Sequence, residues 1–481
     1  MLKNDPRVSL IRSWLTRDLQ WRVGSIAVAS ADASFRRYFR ISRGDVDPSA
    51  WAPKADHLIV MDAPPGKEDI APYLKVSSLL EQAGAHVPHV YASDTRRGFI
   101  VMEDLGNTQY LSVLKTGRGV DKLYGDALTT LANIQVRGAR AAQQLEPYSR
   151  APLERELHLF PEWFLHRHLG LETTPEERAL ITVTFEFLIN EAMLQPQVFV
   201  HRDFHSRNLM VLPASSAGTG GPGVIDFQDA LRGPIGYDLV SLFKDCYISW
   251  SRERVERWVK GYRRVLGNLG ANVGDSEYQF LRWFDVVGVQ RHLKVLGIFC
   301  RLWYRDGKPG YLADLPLTFE YVRDACTRYP ELVEFGRWLE WRIAPLLEPA
   351  ISREITRAAA RAVAKPKPKS KPKPKLKPKP KPKRKKPARR NASASTRVRL
   401  RAARKRPLPV RSKSKVKSKT RVKAKAKAKA KVRVNAPRRA GSPRVATRRK
   451  RPPPHRRLKS RKSRQSRRVA ARKSRARRRP K

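Results

Sequence analysis

His201-Arg202-Asp203-Phe204-His205-Ser206-Arg207-Asn208-Leu209 is the stretch on which the reading of this chain turns. An apolar run precedes it at 198–200 and another follows at 209–212. Asp226, within Val224-Ile225-Asp226-Phe227, comes 18 residues after Asn208. Transfer of a phosphoryl group needs an acceptor hydroxyl held in line with the phosphate, and metal ions that neutralise charge on its oxygens. A carboxylate on a loop, an amide five residues on and a second carboxylate beside a short strand supply those parts. Asp203 is suited to accept the hydroxyl proton. Asn208 and Asp226 offer hard oxygen ligands of the kind Mg2+ takes.

Outward from this stretch, residues 5–19 place Val8, Ile11, Trp14, Leu15 and Leu19 at helical spacing behind Asp5 and Pro6. Short strand-like runs follow at 21–28, 35–41 and 57–61, then a helical segment at 69–82 with Tyr73, Val76, Leu79 and Leu80 on one side. Two more strands, 87–92 and 98–102, flank an Asp-Thr-Arg-Arg turn. Five strands and one helix predict a small antiparallel-sheet lobe. Beyond Glu103-Asp104-Leu105-Gly106-Asn107 the pattern is mainly helical, as at 175–194, 251–266 and 278–302. The exception is 201–229, a hairpin region with a Gly/Ser-rich turn at 214–223. The expected class is therefore α+β and bilobal, with lobes at 1–104 and 105–360 and a ligand cleft between them.

Charge separates a third segment. The 481 residues carry 101 Lys and Arg against 43 Asp and Glu, a net charge of +58. Of the basic residues, 56 lie in 361–481, which hold no acidic residue, leaving 45 basic against 43 acidic in 1–360. Residues 1–360 also contain all 10 Trp, 14 Tyr and 16 Phe, ample for a large core. The tail alternates Lys with Pro from Lys365 and Lys with Ala at 423–431; it cannot bury enough apolar surface to offset chain entropy, so disorder is expected. Such a chain attracts polyanions by counterion release without reading sequence, which makes non-specific nucleic acid or another polyanion its expected partner. Cys246, Cys300 and Cys326 are spaced neither as a disulfide framework nor as a metal site. No apolar run reaches the roughly 18 residues of a membrane span, and the N-terminal residues lack a signal-peptide core, so a cytoplasmic location is expected.

The H-x-D-x-x-x-x-N…D-F arrangement resembles the catalytic loop and metal-binding segment of the protein-kinase-like fold. Together with Ile225-Asp226-Phe227-Gln228-Asp229 and Gly233-Pro234-Ile235-Gly236-Tyr237-Asp238-Leu239, it is most similar to the aminoglycoside phosphotransferase family of small-molecule kinases. D-F-G and a closing A-P-E are absent, which argues against a protein substrate. A narrower resemblance, over about residues 5–350, is to bacterial kinases that phosphorylate the anomeric hydroxyl of N-acetylmuramate and N-acetylglucosamine. It rests on Ser30-Ala31-Asp32-Ala33-Ser34-Phe35-Arg36-Arg37-Tyr38-Phe39-Arg40, on Val101-Met102-Glu103-Asp104-Leu105-Gly106, on Val289-Gln290-Arg291-His292-Leu293-Lys294-Val295-Leu296-Gly297 and on Arg305-Asp306-Gly307-Lys308.

The resemblance implies ATP and Mg2+ as cofactors and a sugar as acceptor. It implies a phosphate loop at Ser30, Ala31, Asp32, Ala33 and Ser34, and a connector at 102–105, with Glu103 and Leu105, that receives adenine through its backbone. It gives Asp238 and His201 the task of supporting the catalytic loop, and Arg202, His205, Arg207 and Arg291 that of meeting the sugar. Two features depart from the pattern: no G-x-G-x-x-G is present, and Met61 stands where a phosphate-binding lysine is expected. Arg37 or Arg40, beside the loop, or Lys67 is the expected replacement. Two alternatives stand beside this reading. One is a kinase for another hydroxyl compound, such as an aminoglycoside, choline or homoserine; the basic residues at 290–294 disfavour a cationic acceptor. The other is an inactive kinase-fold protein that binds nucleic acid through its tail.

Overall fold

Alternation along five strands divides the first part of the chain between two cores. In a computed structural model, which describes residues 5–31, 35–43, 55–212 and 221–364, β1 (Val23–Ala31), β2 (Arg37–Arg43), β3 (His57–Asp62), β4 (Val90–Asp94) and β5 (Phe99–Glu103) form one antiparallel sheet, in the order β1-β2-β3-β5-β4. Phe39, Ile41, Leu58, Val60, Phe99 and Val101 pack on one face with Val8, Ile11 and Trp14. The first two of those come from α1 (Pro6–Ser13), which starts where the Asp5 carboxylate accepts the N–H groups of Arg7 and Val8 and where Pro6 lacks a donor the first turn could not use. On the other face Met61, Ile100 and Met102 join the core that includes Tyr73, Val76 and Leu80 of α2 (Ala71–Gln82) and continues into the helical part. The strand expected at 87–92 begins only at Val90, after Pro88, which cannot donate to a ladder.

The rest is helical: α3 (Tyr110–Leu114), α4 (Val120–Ala132), α5 (Ala139–Ala142), α6 (Arg150–Leu157), α7 (Pro175–Leu194), α8 (Tyr237–Phe243), α9 (Arg252–Asn268), α10 (Glu277–Tyr304), α11 (Leu315–Cys326), α12 (Val333–Trp338) and α13 (Ala344–Ala364). α7 opens on a reciprocal cap between Thr174 and Glu177, with Pro175 in its first turn. α10, 28 residues and about 42 Å long, runs through the middle of this lobe. It buries Phe284, Val287 and Leu293, and with them Gln290, Arg291, His292 and Lys294. Two short antiparallel pairs interrupt the helices: β6 (Gln197–Val200) with β9 (Leu231–Pro234), and β7 (Leu209–Met210) with β8 (Gly223–Val224). Among the described residues no helix is long and apolar enough to cross a membrane, and the three cysteines are buried free thiols. The basic tail from 365 on, Asp32, Ala33 and Ser34 of the expected phosphate loop, and most of the 214–223 turn lie outside the described residues.

Candidate active site

β6 delivers the chain to His201, and from there side chains take over from the sheet. The Asp238 carboxylate, at the start of α8, accepts the backbone N–H of His201 at 2.7 Å and that of Arg202 at 3.0 Å. Arg202 has φ +77°, a conformation that side-chain-bearing residues seldom adopt, and the two bonds hold it there. His201 Nδ1 accepts the Asp203 N–H at 3.2 Å; burial holds this imidazole neutral by pushing its pKa down to about 4. Further along, the Asp245 carboxylate accepts the Ser206 N–H at 3.0 Å and also its hydroxyl. Asn208 Nδ2 donates to the Asp203 backbone oxygen at 3.1 Å and to Asp226 Oδ2 at 3.3 Å. Asp226 follows β8 with φ +65°, and the Ile225 N–H before it donates to the Asn208 carbonyl at 3.0 Å.

These contacts test the fit of a metal. The Asn208 amide nitrogen is turned toward protein oxygens, so its carbonyl oxygen is the atom left for a hard cation beside Asp226. Among the described residues no group of three or more His, Cys, Asp or Glu could hold a metal ion. An amide and one carboxylate suit Mg2+, which keeps water and takes phosphate oxygens for much of its shell. The pair fits a metal that arrives with a nucleotide.

The Asp203 side chain is 45% exposed, and Arg291 Nη2 lies 3.7 Å from its Oδ1. Arg291 Nε in turn donates to Ser241 Oγ at 2.7 Å. Behind them Glu156 of α6 pairs with Arg202 and, at 3.0 Å, with Lys294, and accepts from the Tyr148 hydroxyl. Desolvation pushes the Asp203 carboxyl up, but His205, Lys294, Arg291 and Arg202 outweigh it and leave Asp203 below the ordinary carboxylate value. Asp238 goes the other way: burial raises it to about 7 in spite of its two N–H donors.

Two cavities meet at this loop. One of about 560 Å³ is lined by Tyr38, Arg40, Ile59, Met102 and residues 103–107 of the connector. The other, about 420 Å³, holds Asp203, His205, Arg207, Arg291 and Lys294, with Val295, Ile298 and Phe299 as an apolar wall. Asn208 and Asp226 line both.

The residues expected to meet a nucleotide are only partly brought together. Glu103 and Leu105 line the first cavity, the Glu103 carboxylate engaged by His86 at 3.1 Å. Ser30 and Ala31 end β1. Arg40 lines the cavity with its guanidinium bound to Asp104 and Asn107, each at 2.8 Å. Arg37 sits on the opposite face of the sheet, paired with Asp5 at 2.5 Å and Asp62 at 2.6 Å, its guanidinium over the Phe39 ring. Nearness to the loop in sequence says nothing of which face a strand residue takes; alternation puts Arg37 with Phe39 and away from the cleft. Lys67 lies over the Phe35 ring.

On the acceptor side, His205, Arg207 and Arg291 line the second cavity. Arg202 does too, but its guanidinium is taken by Glu156. The sequence reading missed Glu156, Asp245 and Tyr247; the Arg207 guanidinium lies 3.4 Å from the Tyr247 ring centre. Asp245 carried a signal, a carboxylate within the apolar run at 239–246. Glu156 carried none, because its charged partners come from 46 and 138 residues away.

Comparison with known proteins adds the following. Residues 25–284 match the model of the phosphotransferase enzyme family. An N-acetylmuramate/N-acetylglucosamine kinase of Pseudomonas aeruginosa is 46% identical over 311 residues, covering 65% of this chain and 86% of that protein. One of Pseudomonas putida is 41% identical over 346 residues, covering 70% and 96%. One of Neisseria meningitidis is 41% identical over 323 residues, covering 67% and 92%. Among solved structures, an ethanolamine kinase of Plasmodium vivax is similar with a TM-score of 0.45 at 13% identity, covering 68% of this chain and 89% of that one.

Proposed function

We propose, from the premise that this chain belongs to the phosphotransferase enzyme family, that it transfers the γ-phosphoryl group of ATP to the anomeric hydroxyl of N-acetylmuramate or N-acetylglucosamine. The observation that carries the reading is the meeting of two cavities at Asn208 and Asp226, with Asp203 open to the second. The first cavity would take the nucleotide, with the connector backbone against adenine. Bound Mg2+–ATP would supply the phosphoryl group and offset its negative charge, with Asn208 and Asp226 as the protein ligands of the metal. Asp203 orients the sugar hydroxyl and accepts its proton as the new oxygen–phosphorus bond forms and ADP leaves. Its low pKa makes it a weak base but keeps it ionised, so positioning does most of the work. Arg291 fixes the carboxylate, and the Glu156 pair fixes Arg202 and Lys294 around it. His205 and Arg207 are left to meet sugar oxygens, and the apolar wall suits an N-acetyl methyl group.

The test incubates the full chain with Mg-ATP and a panel of hydroxyl compounds, with products identified by mass spectrometry. Sugar 1-phosphate from either amino sugar is expected. Phosphorylation of an aminoglycoside, choline or homoserine instead would discard the sugar. The reaction draws on ATP, so we place it in the cytoplasm. For residues 361–481 the reading is non-specific polyanion binding, motivated by 56 basic and no acidic residues. Retention of the full chain on DNA should fall steeply with added salt, and salt-independent retention would contradict it.

A further inference from the structure

The departure at Met61 leaves a charge to be found. Met61 is fully buried in the core, and Arg37 faces away from the cleft. Arg36 immediately precedes β2, and alternation sets it on the side of Tyr38 and Arg40, both of which line the first cavity. Its side chain is 12% exposed, with Nε 3.4 Å from Glu68 Oε2. Glu68 Oε1 also accepts the Phe35 N–H at 3.3 Å, so one carboxylate ties both the guanidinium and the backbone just before it. The field of the Asp226 carboxylate also favours the Arg36 charge. Tyr73, whose ring lies 4.7 Å from that of Phe227, stands in the field of the same two charges. Burial works against the Arg36 charge, and Tyr38, Glu68 and Asp226 together overcome it. A buried cation is costly to keep unless an opposite charge faces it, and here Glu68 does.

We infer that Arg36 is the phosphate-binding cation of this site, its guanidinium engaging the α- and β-phosphate oxygens of the nucleotide, with Glu68 as the residue that positions it. The inference rests on the kinase reading. A planar guanidinium offers several donors to neighbouring phosphate oxygens where an ammonium offers a point charge, so it can serve from a strand position next to the one a lysine would hold. Of the other candidates, Arg40 is bound to Asp104 and Asn107, and Lys67 lies over the Phe35 ring.

Calorimetric binding of adenosine and of Mg-ADP to the full chain tests this in wild type, R36Q, R36K and E68Q. R36Q should lose ten- to a hundredfold in ADP affinity and keep its adenosine affinity within twofold. R36K should recover part of the loss, and E68Q should show a smaller loss in the same direction, with the KM for ATP raised more than kcat falls. An ADP-to-adenosine affinity ratio within threefold of wild type in R36Q overturns the inference, as does equal loss of both ligands. If R36Q does not fold, R36M serves in its place, and an unchanged ratio there has the same force. A wild-type chain that binds neither ligand sinks the kinase reading and the inference with it.

Discussion

Replacing Asp238 with Asn changes one atom in a fully buried side chain, and the structure says what that should cost. The two carboxylate oxygens accept the N–H groups of His201 and Arg202 at 2.7 and 3.0 Å. Whichever way an amide is turned, one of those N–H groups meets an NH2 and loses its acceptor. Above about pH 8, where Asp238 is ionised, a hydrogen bond to its carboxylate, removed so that a buried donor is left unmet, costs about 2–3 kcal/mol. Either loss loosens the turn at Arg202, whose left-handed backbone carries about 1–3 kcal/mol of strain. The loop should therefore relax, and Asp203 with it. If regaining the working geometry costs 2–3 kcal/mol, kcat should fall roughly thirty- to 150-fold. Nucleotide binding in the first cavity should hardly change. Steady-state kinetics of D238N, with Mg-ADP affinity measured on the same preparation, is the assay. A folded D238N with kcat within threefold of wild type would refute the reasoning.

Two further predictions concern stability. Asp285 is wholly buried and accepts from Lys244 at 3.1 Å, Arg252 at 2.6 Å and Tyr329 at 2.8 Å; burial alone would raise its pKa, but these partners hold it at about 2. D285N strands two cations in the core and should cost about 3–5 kcal/mol by urea unfolding at pH 7. Because the folded pKa lies below the unfolded value near 4, the gap from wild type should narrow from pH 4 toward pH 2; a pH-independent gap would count against the ion-pair account. His168, also fully buried, is pushed down to about 4, so its stabilisation is complete above the unfolded value near 6.5 and drains away as pH falls toward 4. H168Q should flatten the pH dependence of unfolding free energy between pH 6 and 4.5 by about 1.4 kcal/mol per pH unit, and an unchanged slope would contradict the assignment.

How much of this was legible in the sequence depended on how local each feature is. α7 was readable end to end, because Thr174, Pro175 and Glu177 mark its start and a 20-residue apolar pattern carries it. The loop from His201 to Asn208 was readable as a unit, because its spacing is local and apolar strands bracket it. Which of Arg37 and Arg40 faces the cleft was not, since it turns on the phase of one strand, and a slip of one residue exchanges the faces. The polar run at 290–294 could be read as a solvated face or a sugar contact. Buried in α10, Arg291 and Lys294 line the second cavity and meet Ser241, Asp203 and Glu156, partners that lie 50 to 138 residues away. Local pattern fixes what a segment can form; only the assembled lobe decides which charges it must neutralise.

The central claim, that Asp203 is the base of a phosphoryl transfer to a sugar, is tested most directly by D203N in single-turnover transfer from Mg-ATP to N-acetylmuramate, alongside Mg-ADP and sugar affinities. The account predicts a loss of transfer rate of roughly 10²- to 10⁴-fold with both affinities within threefold of wild type. A D203N chain that keeps more than a tenth of the wild-type transfer rate would contradict it.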